Sequence, residues 1–312
     1  MNIILLGNGF DLAHGLPTTY TNFLDFLKRI GAKNNRIIYD IQLNEQLSDI
    51  MRNNDNSDTL NTIRNLCTNN IWAKYFFERN NMYPNWCDFE SEIEYITQNL
   101  QSIKKELEKN RESFASDFFH STASIFLQYS IKVFLFNIVS KEQIVKDGYK
   151  IINLDKMPTD IILSLGNNSL DEDNIIDIIL DNTAPTSSIS IPFEYLISFI
   201  IEQLNAFTKC FELYLSEFVN KIDTQKIHFI YDLMHSYNLK ILNFNYTSTI
   251  ELYTKPYDVD ICYIHGKATN NDRNNLVLGI NETENDIDPM FTRFRKYFQR
   301  FEKNVLLITV HG

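Results

Sequence analysis

The sequence predicts an α/β fold: a mostly parallel sheet whose first strand is N-terminal, whose remaining strands are C-terminal, and which a large helical insertion interrupts. Three observations carry this expectation. Residues 3–6 are a wholly apolar run that leads straight into Gly7-Asn8-Gly9, as a short, fully buried parallel strand does where it turns toward a helix. Strand-like runs return only beyond residue 230, at 239–244, 260–264, 276–280 and 305–310, each closing on Gly, Asn or His. Between roughly 35 and 225 the periodicity is mostly helical. The expected organisation is a discontinuous core, 1–34 and 226–312, around a mainly helical insertion, 35–225.

After the first strand and its glycine turn, Tyr20, Phe23, Leu24, Leu27 and Ile30 recur at helical spacing and predict an amphipathic helix of about three turns. The clearest helix of the insertion is FESEIEYITQNLQSIKKELEK, with Phe89, Ile93, Ile96, Leu100, Ile103 and Leu107 on one face. Asp88 is placed to cap it, and Glu90 and Glu92 suit the positive end of its dipole. Capping therefore ranks above an acid–base role for these three carboxylates. The asparagine-rich stretches 52–58 and 166–174 read as exposed loops. In FTRFRKYFQRF, 291–301, the aromatics fall at helical spacing, which predicts a buried aromatic face with solvated Arg293, Arg295, Lys296 and Arg300.

A chain of 312 residues with 44% apolar and 22% charged residues has the composition of a globular protein with a sizeable core. Its net charge of −11 argues against general nucleic-acid binding, which rests on cations neutralising phosphates. Cysteines 67, 87, 210 and 262 never approach a C-x-x-C spacing, so neither a zinc pattern nor a disulfide framework is expected. The N-terminus lacks a basic region, and the most apolar helical stretches, 131–139 and 195–204, fall short of the ~20 residues a membrane span needs. The expectation is a soluble, cytoplasmic protein with reduced thiols.

Ligands of open α/β sheets bind outside the carboxyl ends of the strands. Those ends are polar here: Gly7-Asn8-Gly9-Phe10-Asp11, Asn245-Tyr246-Thr247, His265-Gly266 and Gly279. The first is not a dinucleotide fingerprint, since Leu12 occupies the third glycine position and Gly15 comes three residues later. Its context suits backbone N–H groups that cradle phosphates, and suits equally a tight connection whose glycines permit positive φ. His265 is either a general base, with an ordinary pKa near ~6.5, or a structural residue; Gly266 would leave a substrate room beside it. Asn245 can shape a turn or orient a sugar hydroxyl or a water. Asp11 reads as a cap for the following helix ahead of a ribose contact. No metal, G-x-S-x-G, H-E-x-x-H or EF-hand pattern is present.

IILLGNGFDLAHGLPTTYTNFLDFL, NWCDFESEI, LNFNYTSTIE, YIHGK and LVLGIN, in that order over nearly the whole chain, resemble the bacteriophage abortive infection protein family AbiH. That family is itself distantly similar to sirtuin-like NAD-binding domains. The resemblance implies a Rossmann-like, sirtuin-type sheet in which Gly7, Asn8, Gly9 and Phe10 meet phosphates, Asn245 contacts ribose and His265 is the general base. AHGLPTTY parallels the run after the sirtuin glycine loop, with Thr18 where sirtuins carry an aspartate. The absence of paired zinc cysteines argues against peptide deacetylation. Members usually finish with a G-H-S-L-like loop; the last residues here are His311-Gly312, so if that loop closes the pocket the resemblance implies a shortened or impaired member. The function implied is an anti-phage effector that hydrolyses the nicotinamide–ribose bond of NAD, the alternative being a non-catalytic module that senses a nucleotide or a phage component. NAD or ADP-ribose is then the small-molecule partner, as substrate or ligand rather than cofactor. No membrane partner is expected, and a homo-oligomer or a phage-derived trigger fits the same reading.

Overall fold

The computed structural model describes residues 2–31, 43–53, 58–82, 88–109, 193–234, 239–254, 259–271, 273–281 and 288–305, with Tyr257 and a few helical residues between 126 and 133. The fold is mixed α/β and mostly helical. Strands β1 (Asn2–Leu6), β2 (Leu239–Asn243) and β3 (Asp260–Tyr263) form a parallel sheet in the order β1-β2-β3. Ile4 pairs with Ile241, and Leu242 with Cys262. Leu239 and Ile241 are buried with Ile250, Tyr253 and Met234, and Ile4, Leu6, Phe10 and Ile261 pack against them. The expectation of a fully buried first strand is corrected: Ile3 and Leu5 are 51% and 65% exposed. An apolar run shows that a strand can be buried on both faces; a second layer must be present for it to be so.

The chain divides into two compact units. The first comprises residues 1–90, 204–283 and 295–312, and the second 91–203 and 284–294. In the first unit, β1 runs directly into the short helix α1 (Asn8–Ala13), so Asn8-Gly9-Phe10-Asp11 is a helical turn rather than an open loop. Helix α2 (Tyr20–Gly31) buries Phe23, Leu24, Phe26, Leu27 and Ile30, the face its sequence predicts. It is capped by Thr19, whose Oγ accepts from Asn22 N at 3.1 Å while Asn22 Oδ1 accepts from Thr19 N at 3.2 Å. Asp11 is therefore not the cap of this helix.

Helices α3 (Glu45–Asn53), α4 (Asp58–Cys67) and α5 (Ile71–Met82) follow. Then come α6 (Phe89–Lys109) and α7 (Phe193–Glu217). The first unit's aromatic core gathers on α2 and the later part of α7: the Phe23 ring lies 5.4 Å from Phe207, 4.9 Å from Phe211 and 5.3 Å from Tyr214. Asp88 caps α6 as expected, accepting from Glu90 N at 3.1 Å. In the second unit Ile93, Ile96, Leu100, Ile103, Leu196, Ile197 and Ile200 are buried, and Lys104 pairs with Asp288.

Residues 276–280 are buried, yet they do not form the strand their sequence predicts. Side chains satisfy much of the backbone that a ladder would have used. Gln299 accepts from Leu278 N at 3.0 Å and donates to Leu278 O at 2.9 Å, while Tyr246 donates to Val277 O at 3.0 Å. A backbone bond from Val277 N to His265 O, 2.9 Å, anchors the segment beside β3. Of the run at 305–310, residues 306–310 lie outside the described residues. The expectation for 291–301 also needs correcting. Phe291 and Phe294 are buried, but on α8 (Lys296–Glu302) Tyr297 and Phe301 are 53% and 66% exposed and Lys296 is buried.

Gly266 is where the backbone demands glycine. Its φ is +84°, and a Cβ there would stand 2.0 Å from the carbonyl oxygen of Asn275. We expect Gly266→Ala to lower unfolding free energy by about 3 kcal/mol or more in a urea titration. Gly9→Ala meets no atom within 4 Å and should leave stability unchanged or raise it by up to ~1 kcal/mol, since alanine favours the helix.

Candidate functional site

At the carboxyl ends of β1 and β2 the first unit opens a cleft of about 240 Å³, lined by Asn8, Asp11, Thr18, Tyr20, Glu90, Phe211, Leu215, Phe244, Asn245, Tyr246, Thr247 and His265. Its floor is built by extending the β1–β2 pairing past the strands. Phe244 N donates to Leu6 O at 2.8 Å, and the Asn245 side chain then donates from Nδ2 to Gly7 O at 3.0 Å. Asn243 Oδ1 holds Asn245 N at 3.0 Å, so the turn after β2 is fixed from both sides. Asn245 is 5% exposed, and its Oδ1 remains an acceptor for a ligand.

Asp11 projects from α1 to the same place. Thr247 donates to its Oδ2 at 2.6 Å, and Thr249 donates in turn to Thr247 at 3.1 Å. The other oxygen, Oδ1, is buried without a hydrogen-bond partner, and the residue is 1% exposed. Burial raises the Asp11 pKa above the usual carboxylate range, against the opposing pull of Thr247, Thr249 and His14. A buried carboxyl oxygen without a partner destabilises the fold by itself.

His265, on the turn after β3, closes the cleft with its ring 5.8 Å from that of Phe244. Its Nδ1 is buried without a partner. Burial, reinforced by the cations Lys296 and Arg300, lowers its pKa to about 4. The imidazole is therefore neutral at pH 7, with an electron pair free to accept a proton. Lys296 is held by Glu90, Nζ to Oε2 2.6 Å, and Arg300 donates from Nε to Ile264 O at 3.1 Å. On the facing side Thr18 donates to Asn8 Oδ1 at 2.7 Å.

The structure thus brings Asn8, Asp11, Asn245, Tyr246, Thr247 and His265 to one cleft. Gly7 and Gly9 are not among its lining residues; both are exposed, with no atom within 4 Å of where a Cβ would project. Phe10, Gly15, Gly266 and Gly279 do not line it. The Phe10 ring packs in the core, 4.6 Å from His14. Gly15, with φ +72°, ends α1 through its bond to Leu12 O at 3.0 Å. Gly266 turns the chain under Asn275, and Gly279 is buried in the segment that follows.

Sequence reasoning missed Tyr20 and Thr18 as cleft residues and ranked helix capping above an acid–base role for Glu90, which lines the cleft. Glu90 serves the helix through its backbone and the cleft through its side chain, and only the second role needs Lys296, 206 residues away. Among the described residues no three His, Cys, Asp or Glu side chains group to hold a metal, and no helix is long and apolar enough to cross a membrane.

The Asp11 burial has a measurable sign. A raised pKa means that the unfolded chain ionises first, so stability falls as pH rises from 3.8 through the folded-state value. Asp11→Asn removes that ionisation and keeps an acceptor for Thr247. We expect it to unfold in urea at pH 7 no more easily than the parent, and with a flatter pH profile. Thr247→Val, which removes the 2.6 Å bond to Asp11, should cost about 2 kcal/mol.

Comparison with known proteins agrees with the motif order. A family model described as bacteriophage abortive infection AbiH matches residues 3–308. No curated protein and no solved structure matches the chain. A match over nearly the full length places this chain in the AbiH family of bacteriophage abortive infection proteins.

Proposed function

We propose that this AbiH protein is an anti-phage effector whose cleft binds a nicotinamide dinucleotide and hydrolyses its nicotinamide–ribose bond. The observation that carries the reading is the convergence, at the ends of adjacent parallel strands, of an under-bonded buried carboxyl, an asparagine amide and a neutral histidine. The sheet would then be the Rossmann-like, sirtuin-type core of a nucleotide site. At about 240 Å³ the cleft falls below the ~300–1,000 Å³ that whole ligands of drug size occupy. It suits a ribose with its attached ring, leaving the pyrophosphate at the open backbone of Gly7 and Gly9.

The chemistry follows from the leaving group. Nicotinamide departs as a neutral base when the C1′–N bond breaks, and the ribose becomes oxocarbenium-like, as in glycoside cleavage. Asp11 Oδ1 would accept a ribose hydroxyl and Asn245 Oδ1 the attacking water. Water bonds to C1′ and passes its proton toward His265, giving ADP-ribose, nicotinamide and a proton. With a pKa near 4 His265 is a weak base, but water adding to an already cationic carbon needs little help. That weakness also favours a second reading, in which the cleft holds a nucleotide without turning it over.

A titration of NAD and ADP-ribose, reading heat and released nicotinamide together, separates the two. The hydrolase reading expects binding in the parent and in His265→Ala, with release lowered at least ~100-fold in the variant, and weaker binding in Asn245→Ala. Binding with no release from either protein would establish the sensor. No binding by a folded protein would remove the nucleotide reading.

A further inference from the structure

Outside the cleft, two thiols that the sequence separates by 143 residues stand in contact. Cys67 is the last residue of α4 and Cys210 lies within α7, and their sulfurs are 2.7 Å apart. That is only about 0.7 Å longer than a disulfide bond of ~2.05 Å. Cys210 is fully buried, and its thiol lies 3.7 Å from Ile63 O; Cys67 is partly exposed. A partly exposed cysteine thus sits against a fully buried one. The pair also adjoins the cleft wall, because Phe211 follows Cys210 and its ring lies 5.6 Å from Tyr246.

We propose that Cys67 and Cys210 are a peroxide-oxidised dithiol that closes to a disulfide between α4 and α7. Cys67, the partly exposed residue of the pair, supplies the attacking sulfur, whereas burial and the neighbouring Cys67 push the Cys210 pKa up and keep it a thiol. The Cys67 thiolate bonds to one oxygen of hydrogen peroxide, the O–O bond breaks, and the departing hydroxide takes up a proton as water. Cys67 is then a sulfenic acid. The Cys210 sulfur displaces its hydroxyl, which leaves with the Cys210 proton as a second water. Two thiols are oxidised to one disulfide, and one peroxide is reduced to two waters. The bond would close a 143-residue separation and hold the helix that carries Phe211 and Leu215.

The test uses the full chain, treated with hydrogen peroxide, quenched, denatured and alkylated. Two of the four cysteines should resist alkylation until a reductant is added, with Cys67 and Cys210 joined in one non-reduced peptide. The oxidised protein should melt roughly 5–10 °C higher. Cys67→Ser should keep all its remaining thiols, and in Cys210→Ala the reaction should stop at a sulfenic acid that dimedone captures on Cys67. Four alkylatable cysteines in folded, peroxide-treated protein would overturn the proposal, as would a disulfide that joins a different pair. Because Cys67 is partly exposed, Cys67→Ser keeps the test decisive if Cys210→Ala fails to fold.

Discussion

The cleft depends on the tie between the exits of two adjacent parallel strands. Parallel strands need a crossover before they can pair, so nothing local in the chain brings residue 7 to residue 245. The bond from Asn245 Nδ2 to Gly7 O does so, one step beyond the last backbone bond between Phe244 and Leu6. Thr247 adds a second link by donating to Asp11. Together these bonds hold an asparagine amide and a carboxyl in fixed positions at the edge of the sheet.

That rigidity has an energetic cost that the rest of the unit offsets. A carboxyl oxygen and an imidazole nitrogen are both buried without partners in the same cleft. A fold selected for stability alone would fill these positions with apolar or fully bonded groups. The aromatic packing of Phe23, Phe207, Phe211 and Tyr214 and the paired Glu90 and Lys296 are the compensating structure on either side. The same cations that help keep His265 neutral are each engaged elsewhere, Lys296 by Glu90 and Arg300 by the Ile264 carbonyl. They act on the imidazole through space and do not occupy its nitrogens.

Much of this was legible in the sequence, for identifiable reasons. Three of the predicted strands and the helices at 20–31 and 89–109 form because their apolar spacing is local information. The polar residues after the strands met because a parallel sheet brings those ends to one edge. The rest depended on distant partners. Residues 276–280 read as a strand because they are apolar and buried, but Gln299 and Tyr246 supply the hydrogen bonds that decide otherwise. Gly7-Asn8-Gly9 read as a loop and is the start of a helix, since glycine is compatible with both. Glu90 and the contact between Cys67 and Cys210 are products of tertiary packing that spacing could not show.

If a nucleotide occupies the cleft, it lies against a neutral, buried His265. Its imidazole resonance, assigned with His265→Asn, can be followed by NMR through pH and through an ADP-ribose titration. The midpoint is expected near pH 4 in the free protein, with a saturable change of the resonance as ADP-ribose binds. A midpoint near the ordinary ~6.5, together with indifference to saturating ADP-ribose, would contradict the nucleotide reading.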